Sequence, residues 1–413
     1  MANTENTKAF YNTWIPSDWE VKPVGEAFKI CNNLRMPISE EEREKIKGKY
    51  PYYGPTKIQG YINEYRIEGK YALIGEDGDH FLKWRELPMT LLVEGKFNVN
   101  NHAHIIQGEN NLTEWFFYFF NQRELTPHLT RQGAGRFKLT KDALSRILCP
   151  IPPFPEQRAI AQVLSLMDRA IHTNNQLIAQ KELRKKWLMQ ELLTGKMRLS
   201  AFANAPAGKS GFEGTWKEVK LGKLFNQIKN VNDGEESHSI MTISSKLGLI
   251  SQEDKFDRVI AGDSLKKYTQ LDKEAFAYNK GNSKTYPMGC IYQLEDKESA
   301  LVPFVYICFS PSELVDAKFY KHWFLAHGLD RQLNKIITSG ARGDGLLNVN
   351  TDDFFKLNVP FPPKEEQTAI AQVLQTADKE IQLLKAKTER LKEQKKGMMQ
   401  VLLTGKIRLK IKS

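Results

Sequence analysis

Two stretches of the chain carry apolar residues at alternating steps of four and three. In the first, Ile160, Leu164, Met167, Ile171, Asn174, Ile178, Lys181, Lys185, Leu188 and Leu192 occupy the repeated positions; in the second, Ile370, Leu374, Ala377, Ile381, Leu384, Thr388, Leu391, Lys395, Met398 and Leu402 do so. This spacing predicts two amphipathic helices with coiled-coil seams, each about 50 Å long at 1.5 Å per residue. Pro150, Pro152, Pro153 and Pro155 forbid an earlier start to the first, Glu156 places a carboxylate where the helix dipole favours one, and Gly195 supplies the stop. The stretches are copies of one another. Residues 152–199 lie on 362–409 without a gap, Glu156 on Glu366 and Leu199 on Leu409.

Seam polarity gives the pairing direction. A parallel, in-register pair sets Asn174 against Leu384 and Thr388 against Ile178, mixing polar with apolar. An antiparallel pair centred on both seams sets Asn174 against Thr388, Ile178 against Leu384, Leu188 against Leu374 and Ile160 against Leu402. Isolated polar seam residues act as register devices, so an antiparallel pair is expected with Asn174 and Thr388 as its register pair; a heptad slip is the alternative register.

Between the copies the pattern changes to short β-rich runs separated by Gly, Asn and Pro: YALIG and TLLVEG in the first block, CIYQL and LVPFVYICF in the second. Each block also holds an aromatic run, WFFYFFNQREL from Trp115 and FYKHWFLAHGL from Phe319, which reads as a helix packed on a sheet rather than as a base-stacking surface. The blocks open alike, with Trp19, Gly25 and Phe28 matching Trp216, Gly222 and Phe225, and close alike on RFKLTKDAL and LLNVNTDDF after glycine-rich turns. The expected organisation is a block at 1–149, a repeat at 150–199, an Ala/Gly/Ser/Pro linker at 200–213, a second block at 214–359, and a repeat with a basic tail at 360–413. The fold class follows: α+β, two similar β-rich α/β globular domains joined by two long antiparallel coiled-coil helices with pseudo-two-fold symmetry.

Net charge is +11, and it is unevenly spread. Residues 1–149 hold 20 Lys+Arg against 19 Asp+Glu and residues 200–359 hold 20 against 20, whereas the repeats hold 8 against 4 and 12 against 6. The excess suits a polyanionic partner, and equally the lysine preference of solvated helices. Cys31, Cys149, Cys290 and Cys308 are scattered without metal-ligand spacing and read as buried thiols. The absence of a leader-like start or of an unbroken apolar run points to a cytoplasmic protein.

The motifs PPFPEQRAIAQVL with LLTGKMRL, and PPKEEQTAIAQVL with LLTGKIRL, each follow a block that opens on Trp19 or Trp216. In these features, and across essentially its whole length, the chain resembles the specificity (S) subunit of type I restriction-modification systems. That resemblance implies two target recognition domains, each reading one half of a bipartite, asymmetric site in double-stranded DNA. It also implies that the spacer helices fix the gap and dock two methyltransferase (M) subunits, with restriction (R) subunits joining that core. No cofactor is then expected on this chain; S-adenosylmethionine belongs to the M subunits, and ATP and Mg to the R subunits.

Catalytic motifs are missing. Ile151 precedes Pro152-Pro153-Phe154 where an amino-methyltransferase needs a polar residue, and the glycine-lysine strings at Gly195 and Gly281 do not fit a phosphate loop. Glu295-Asp296-Lys297 reads as a solvated turn. Base edges are read by bidentate polar side chains, while cations and amides hold phosphates, so polar residues on glycine-bearing loops are the candidate DNA contacts. These are Tyr52, Tyr53, Lys57, Gln59, Arg131, Gln132 and Arg136 in the first block, and Asn279, Lys280, Asn282, Ser283, Lys284, Tyr286 and Arg342 in the second. Ordinary turns would show the same composition. A coiled-coil scaffold with two β-rich ligand-binding modules is the competing reading.

Overall fold

The computed structural model describes residues 6–132, 136–199, 212, 214–232, 239–245, 247–256, 262–281, 286–337 and 347–410. The chain forms two compact units, Met1–Asn175 with Ala386–Ser413, and Gln176–Lys385. Each unit therefore combines one block with part of both repeats. The proposed linker lies almost wholly outside the described residues.

In the first unit a hairpin of β1 (Thr7–Phe10) and β2 (Thr13–Pro16) precedes β3 (Glu20–Pro23), α1 (Val24–Ala27), β4 (Lys29–Ile30) and α2 (Glu40–Lys45). Strands β5 (Lys47–Tyr53), β6 (Ile58–Ile62), β7 (Ile67–Gly75), β8 (Thr90–Val99) and β9 (Ala103–Gln107) follow. After them come α3 (Thr113–Asn121), β10 (Thr130–Gln132), β11 (Arg136–Lys138), α4 (Lys141–Arg146), β12 (Leu148–Ile151) and the start of α5 (Phe154–Leu192). Six strands make one sheet in the order β4-β9-β7-β8-β5-β6, and β3 pairs with β12. The aromatic run forms α3, whose Trp115, Phe116, Phe119 and Phe120 are buried in the core beneath that sheet.

The second unit holds β13 (Lys217–Lys220), β14 (Phe225–Gln227), β15 (Ser239–Ser244), β16 (Gly248–Ser251), α6 (Gln252–Phe256), β17 (Thr269–Asp272), β18 (Phe276–Asn279), β19 (Cys290–Gln293), β20 (Ser299–Val302) and β21 (Ile307–Pro311). Helices α7 (Ala317–Leu325), α8 (Asp330–Ile336) and α9 (Thr351–Phe355), strand β22 (Asn358–Phe361) and the start of α10 (Lys364–Leu402) complete it. Here β14-β21-β18-β19 repeats the order β4-β9-β7-β8, and β13 pairs with β22 as β3 pairs with β12. A separate sheet, β16-β15-β20-β17, takes the place of the far end of the first unit's sheet.

The bend between these parts is built differently in the two units. In the first, β7 and β8 pair from Ile67 with Phe97 to Ile74 with Thr90. A straight ladder of that length would hold its ends roughly 20 Å apart. Yet the amide of Glu76, beyond one end, donates to the carbonyl of His102, just beyond the other, at 2.8 Å. The sheet must curl, and Gly69 faces Gly95 across the ladder with φ of 129° and 95°, backbone that glycine adopts without steric cost. The second unit interrupts both strands instead, after Asp272 and after Gln293, with Glu274 at φ 67°.

The repeats close on one another. In the first unit Glu156, buried, accepts from Trp19 Nε1 (3.1 Å) and from Arg408 Nε and Nη2 (2.5 and 2.7 Å); Arg408 also pairs with Asp18 at 3.0 Å. In the second, Glu366 accepts from Trp216 Nε1 (3.0 Å) and from Arg198 Nε and Nη2 (2.6 and 2.7 Å). The glutamate that begins each helix is thus held by the arginine that follows the LLTGK run of the other copy. The neighbouring Gln157 and Gln367 donate to Pro152 O and Pro362 O, both at 2.9 Å, and accept from Leu112 N and Asp316 N at the start of α3 and α7.

Within each unit α5 and α10 run antiparallel. Ile160 and Leu164 share a core with Met399 and Leu402 in the first, and Leu192 shares one with Ile370 and Leu374 in the second. Three seam positions are lysines, and each finds a carboxylate on the opposite helix. Lys395 meets Asp168 at 2.5 Å, Lys181 meets Glu380 at 2.6 Å, and Lys185 pairs with Asp378. Asn174 and Thr388 are both buried.

Candidate nucleic-acid interface

The curl of the first sheet gathers four connections. The β5–β6 turn is closed by Gly54 N donating to Lys57 O (2.8 Å), and Gln59 Oε1 accepts from Asn100 Nδ2 (3.0 Å) in the β8–β9 turn. Asn100 Oδ1 in turn accepts from His102 N (2.9 Å), and His102 Nδ1 bonds Asp77 Oδ2 (2.8 Å) in the β7–β8 connection. The β10–β11 hairpin lies against the same connection, with Gly78 N donating to Phe137 O (3.2 Å) and Leu139 N to Glu76 O (2.7 Å).

Beneath these turns sits a charged, solvent-poor network. Glu76 pairs with Arg35 (2.7 Å) and Lys138 (3.2 Å). His104 Nδ1 accepts from Arg35 and Asn32, both at 2.9 Å, and its Nε2 donates to Leu139 O at 2.7 Å. Those partners fix one neutral tautomer, and burial pushes its pKa down to about 4. A network tied at so many points holds the turns in place rather than reading bases.

The candidate residues of the first block fare unequally. Lys57 and Gln59 are exposed on the β5–β6 turn, and Tyr53 is half-buried, its ring edge-on to Phe97 at 5.8 Å. Arg131 is exposed on β10 with its guanidinium 5.1 Å from the Phe137 ring centroid, and Gln132 and Arg136 pair across the same hairpin. Tyr52 must be corrected. It is fully buried, its hydroxyl donates to Met36 O (2.7 Å) and accepts from Ile38 N (3.2 Å), and Arg43 covers its ring. In a β-strand successive side chains point to opposite faces, and the face that takes Tyr52 is the buried one.

In the second unit the corresponding β18–β19 connection holds Asn279, Lys280 and Tyr286. Asn279 Oδ1 accepts from Gly281 N (2.9 Å), Lys280 O accepts from Leu347 N (2.9 Å), and Tyr286 stacks on His327 at 4.9 Å and bonds Tyr292 OH at 3.4 Å. Asn282, Ser283, Lys284 and Arg342 lie outside the described residues. The acidic turn at Glu295 is exposed and tied to Lys321 at 2.6 Å.

The equivalence of β7–β8 with β18–β19 exposes what sequence reasoning missed. The first block's counterpart of the Asn279 loop is residues 76–89, bearing Asp77, Trp84 and Arg85, together with His102 of the neighbouring turn, which the buried Asn100 holds in place. Sequence similarity between the blocks fades between their ends, so the signal was the strand order, which sequence does not display.

Two like units, each tied to a repeat and the first with polar turns gathered at the curl of its sheet, make a two-module protein. The profile of the type I restriction modification DNA specificity domain matches residues 16–182 and 298–393, and the chain belongs to that family. It is similar to the type I restriction enzyme MjaVIII specificity subunit of Methanocaldococcus jannaschii, 26% identical over 428 residues that cover 98% of this chain and 97% of the relative. A putative type I restriction enzyme specificity subunit of Haemophilus influenzae is 35% identical over 165 residues, 40% of this chain and 41% of the relative. Among solved structures, the S subunit of a type I restriction-modification system from M. genitalium shares the fold, with a TM-score of 0.58 at 14% identity over 98% of this chain and 99% of that one. Membership makes this a specificity subunit, whose work is DNA recognition rather than catalysis. No described helix is long and apolar enough to cross a membrane.

Proposed function

We propose that each block reads one half of a bipartite sequence in double-stranded DNA and that α5 and α10 set the gap between the halves. In this reading the helices dock two methyltransferase subunits that carry S-adenosylmethionine, and restriction subunits with ATP and Mg join them. One observation carries the proposal: the two units share strand order and helix clamp, and differ in the turns at the curl. A common frame with divergent polar turns is what two readers of different half-sites require, because base-edge recognition resides in a few side chains while the frame sets their register.

Lys57, Gln59 and Arg131 of the first unit and Asn279, Lys280 and Tyr286 of the second are proposed as contacts, with Tyr53, Gln132, Arg136, Asn282, Ser283 and Lys284 beside them in sequence and Arg342 between α8 and α9. Co-expressing the chain with a methyltransferase subunit and mapping methylated adenines genome-wide tests the proposal. A single split motif, modified on both strands and absent without the chain, is expected. Methylation that does not depend on the chain would sink it.

A further inference from the structure

The C-terminal part of α10 and the end of α3 enclose a cavity of about 390 Å³ in the first unit. Its floor is apolar, with Phe119, Met399 and Leu403, and its walls carry Arg85, Arg123 and Lys396; no lining residue is acidic. Arg123 lies flat on Phe119, 3.8 Å from the ring centroid, and Arg85 lies over Trp84 at 4.8 Å. Among the described residues none of the three forms an ion pair with a carboxylate, whereas the adjacent Lys395 is paired with Asp168. Burial holds the Arg123 pKa below its ordinary value. A guanidinium withdrawn from water without a carboxylate is costly, and aromatic faces orient it without consuming its N–H donors.

The second unit does not repeat this arrangement. At the positions of Tyr118, Phe119 and Arg123 it has His322, Trp323 and His327, and His327 is satisfied by Asp330 at 2.8 Å and by stacking on Tyr286. Among the described residues of the second unit, no arginine takes the place of Arg123 on the aromatic floor.

We propose that this cavity is a phosphate-binding site, in which the forked donors of Arg85 and Arg123 and the ammonium of Lys396 take a phosphoryl group. Its source is either the backbone of a nucleic acid or a free nucleotide. Arg123 and Lys396 lie outside the turns at the curl, and Arg85 comes from the β7–β8 connection, so the site deepens the proposed reading of DNA and rests on it.

Calorimetric titration of the full chain with inorganic phosphate, with AMP, and with a duplex lacking any target separates the sources. The variants are Arg123→Met and, to guard against misfolding at that half-buried position, the exposed pair Arg85→Gln with Lys396→Gln. If free nucleotide is the ligand, AMP and phosphate bind saturably and both variants weaken them at least tenfold. If the backbone is the ligand, the mononucleotide does not bind. Duplex affinity then falls, and the salt slope of the exposed double variant drops by about 0.9, the share of the one phosphate that is no longer neutralised. Lys22→Gln, a half-buried cation of the same unit already paired with Glu20, should leave AMP and phosphate binding unaltered and lower the slope by less. Phosphate, AMP and duplex binding all unchanged in the variants would overturn the site while leaving target recognition standing.

Discussion

At the scale of single residues, the repeated motifs are explained by two buried carboxylates. Glu156 and Glu366 are each enclosed by an indole N–H and a bidentate arginine from the other copy. Removing one partner of a buried pair strands the other, at a typical cost of about 3–5 kcal/mol. Arg198→Met should therefore lower the denaturant midpoint sharply, and Glu366→Gln in the same chain should recover part of the loss; an additive double variant would contradict the pairing. His322 gives a pH-dependent prediction. It is fully buried, neither ring nitrogen has a hydrogen-bond partner among the described residues, and burial pushes its pKa to about 4. The unfolded chain takes up a proton near pH 6.5 that the folded chain refuses until about pH 4, so stability falls as pH drops across that window and is flat above it. Tyr118, at the same place in the first unit, donates to Asp168 at 3.0 Å. His322→Tyr should flatten the His322 share of the slope between about pH 4 and 6.5, of order 3 kcal/mol, in denaturation midpoints followed against pH.

Among the elements, the helix pair was the most legible. Its length, direction and limits followed from a 4-3 apolar period, flanking prolines and a terminal glycine, because these act within a few residues of one another. The seam lysines were less transparent, since a lysine at a core position is tolerable only when the opposite helix supplies a carboxylate. We propose that Asn174 facing Thr388 sets the register. The ion pairs Asp168–Lys395 and Lys181–Glu380, which join positions within one residue of those the register sets opposite, support it. Asn174→Cys with Thr388→Cys should form a disulfide under mild oxidation, and a heptad slip would prevent it because bridged Cα atoms lie within about 7 Å. The sheets were legible as strands but not as an order. β7 pairs with both β8 and β9, and β5 reaches β8 in parallel, contacts that no local pattern announces.

Across the whole molecule, the alternation of block and repeat carries the division of labour. If each block is a separate reader, replacing residues 214–359 by the equivalent block of another family member should change one half of the methylated motif and leave the other half and the gap intact. Mapping methylated adenines in cells carrying the exchanged chain decides this. A change in both halves would show that the units do not read independently.

By itself the sequence determined that the chain repeats, where the helices begin and end, that they pair antiparallel, and which family it belongs to. Those features rest on short-range periodicity and on matching ends. Only the tertiary structure decided that Tyr52 is core and its neighbour Tyr53 is not. It also decided that His102 and Asp77 join the candidate surface while Asn100 holds it from beneath, and that Arg123 lies on the Phe119 ring beside α10 with no carboxylate partner among the described residues. Each depends on curling a sheet or docking a helix, which brings together residues far apart in sequence, and burial or pairing then determines what a side chain is free to contact.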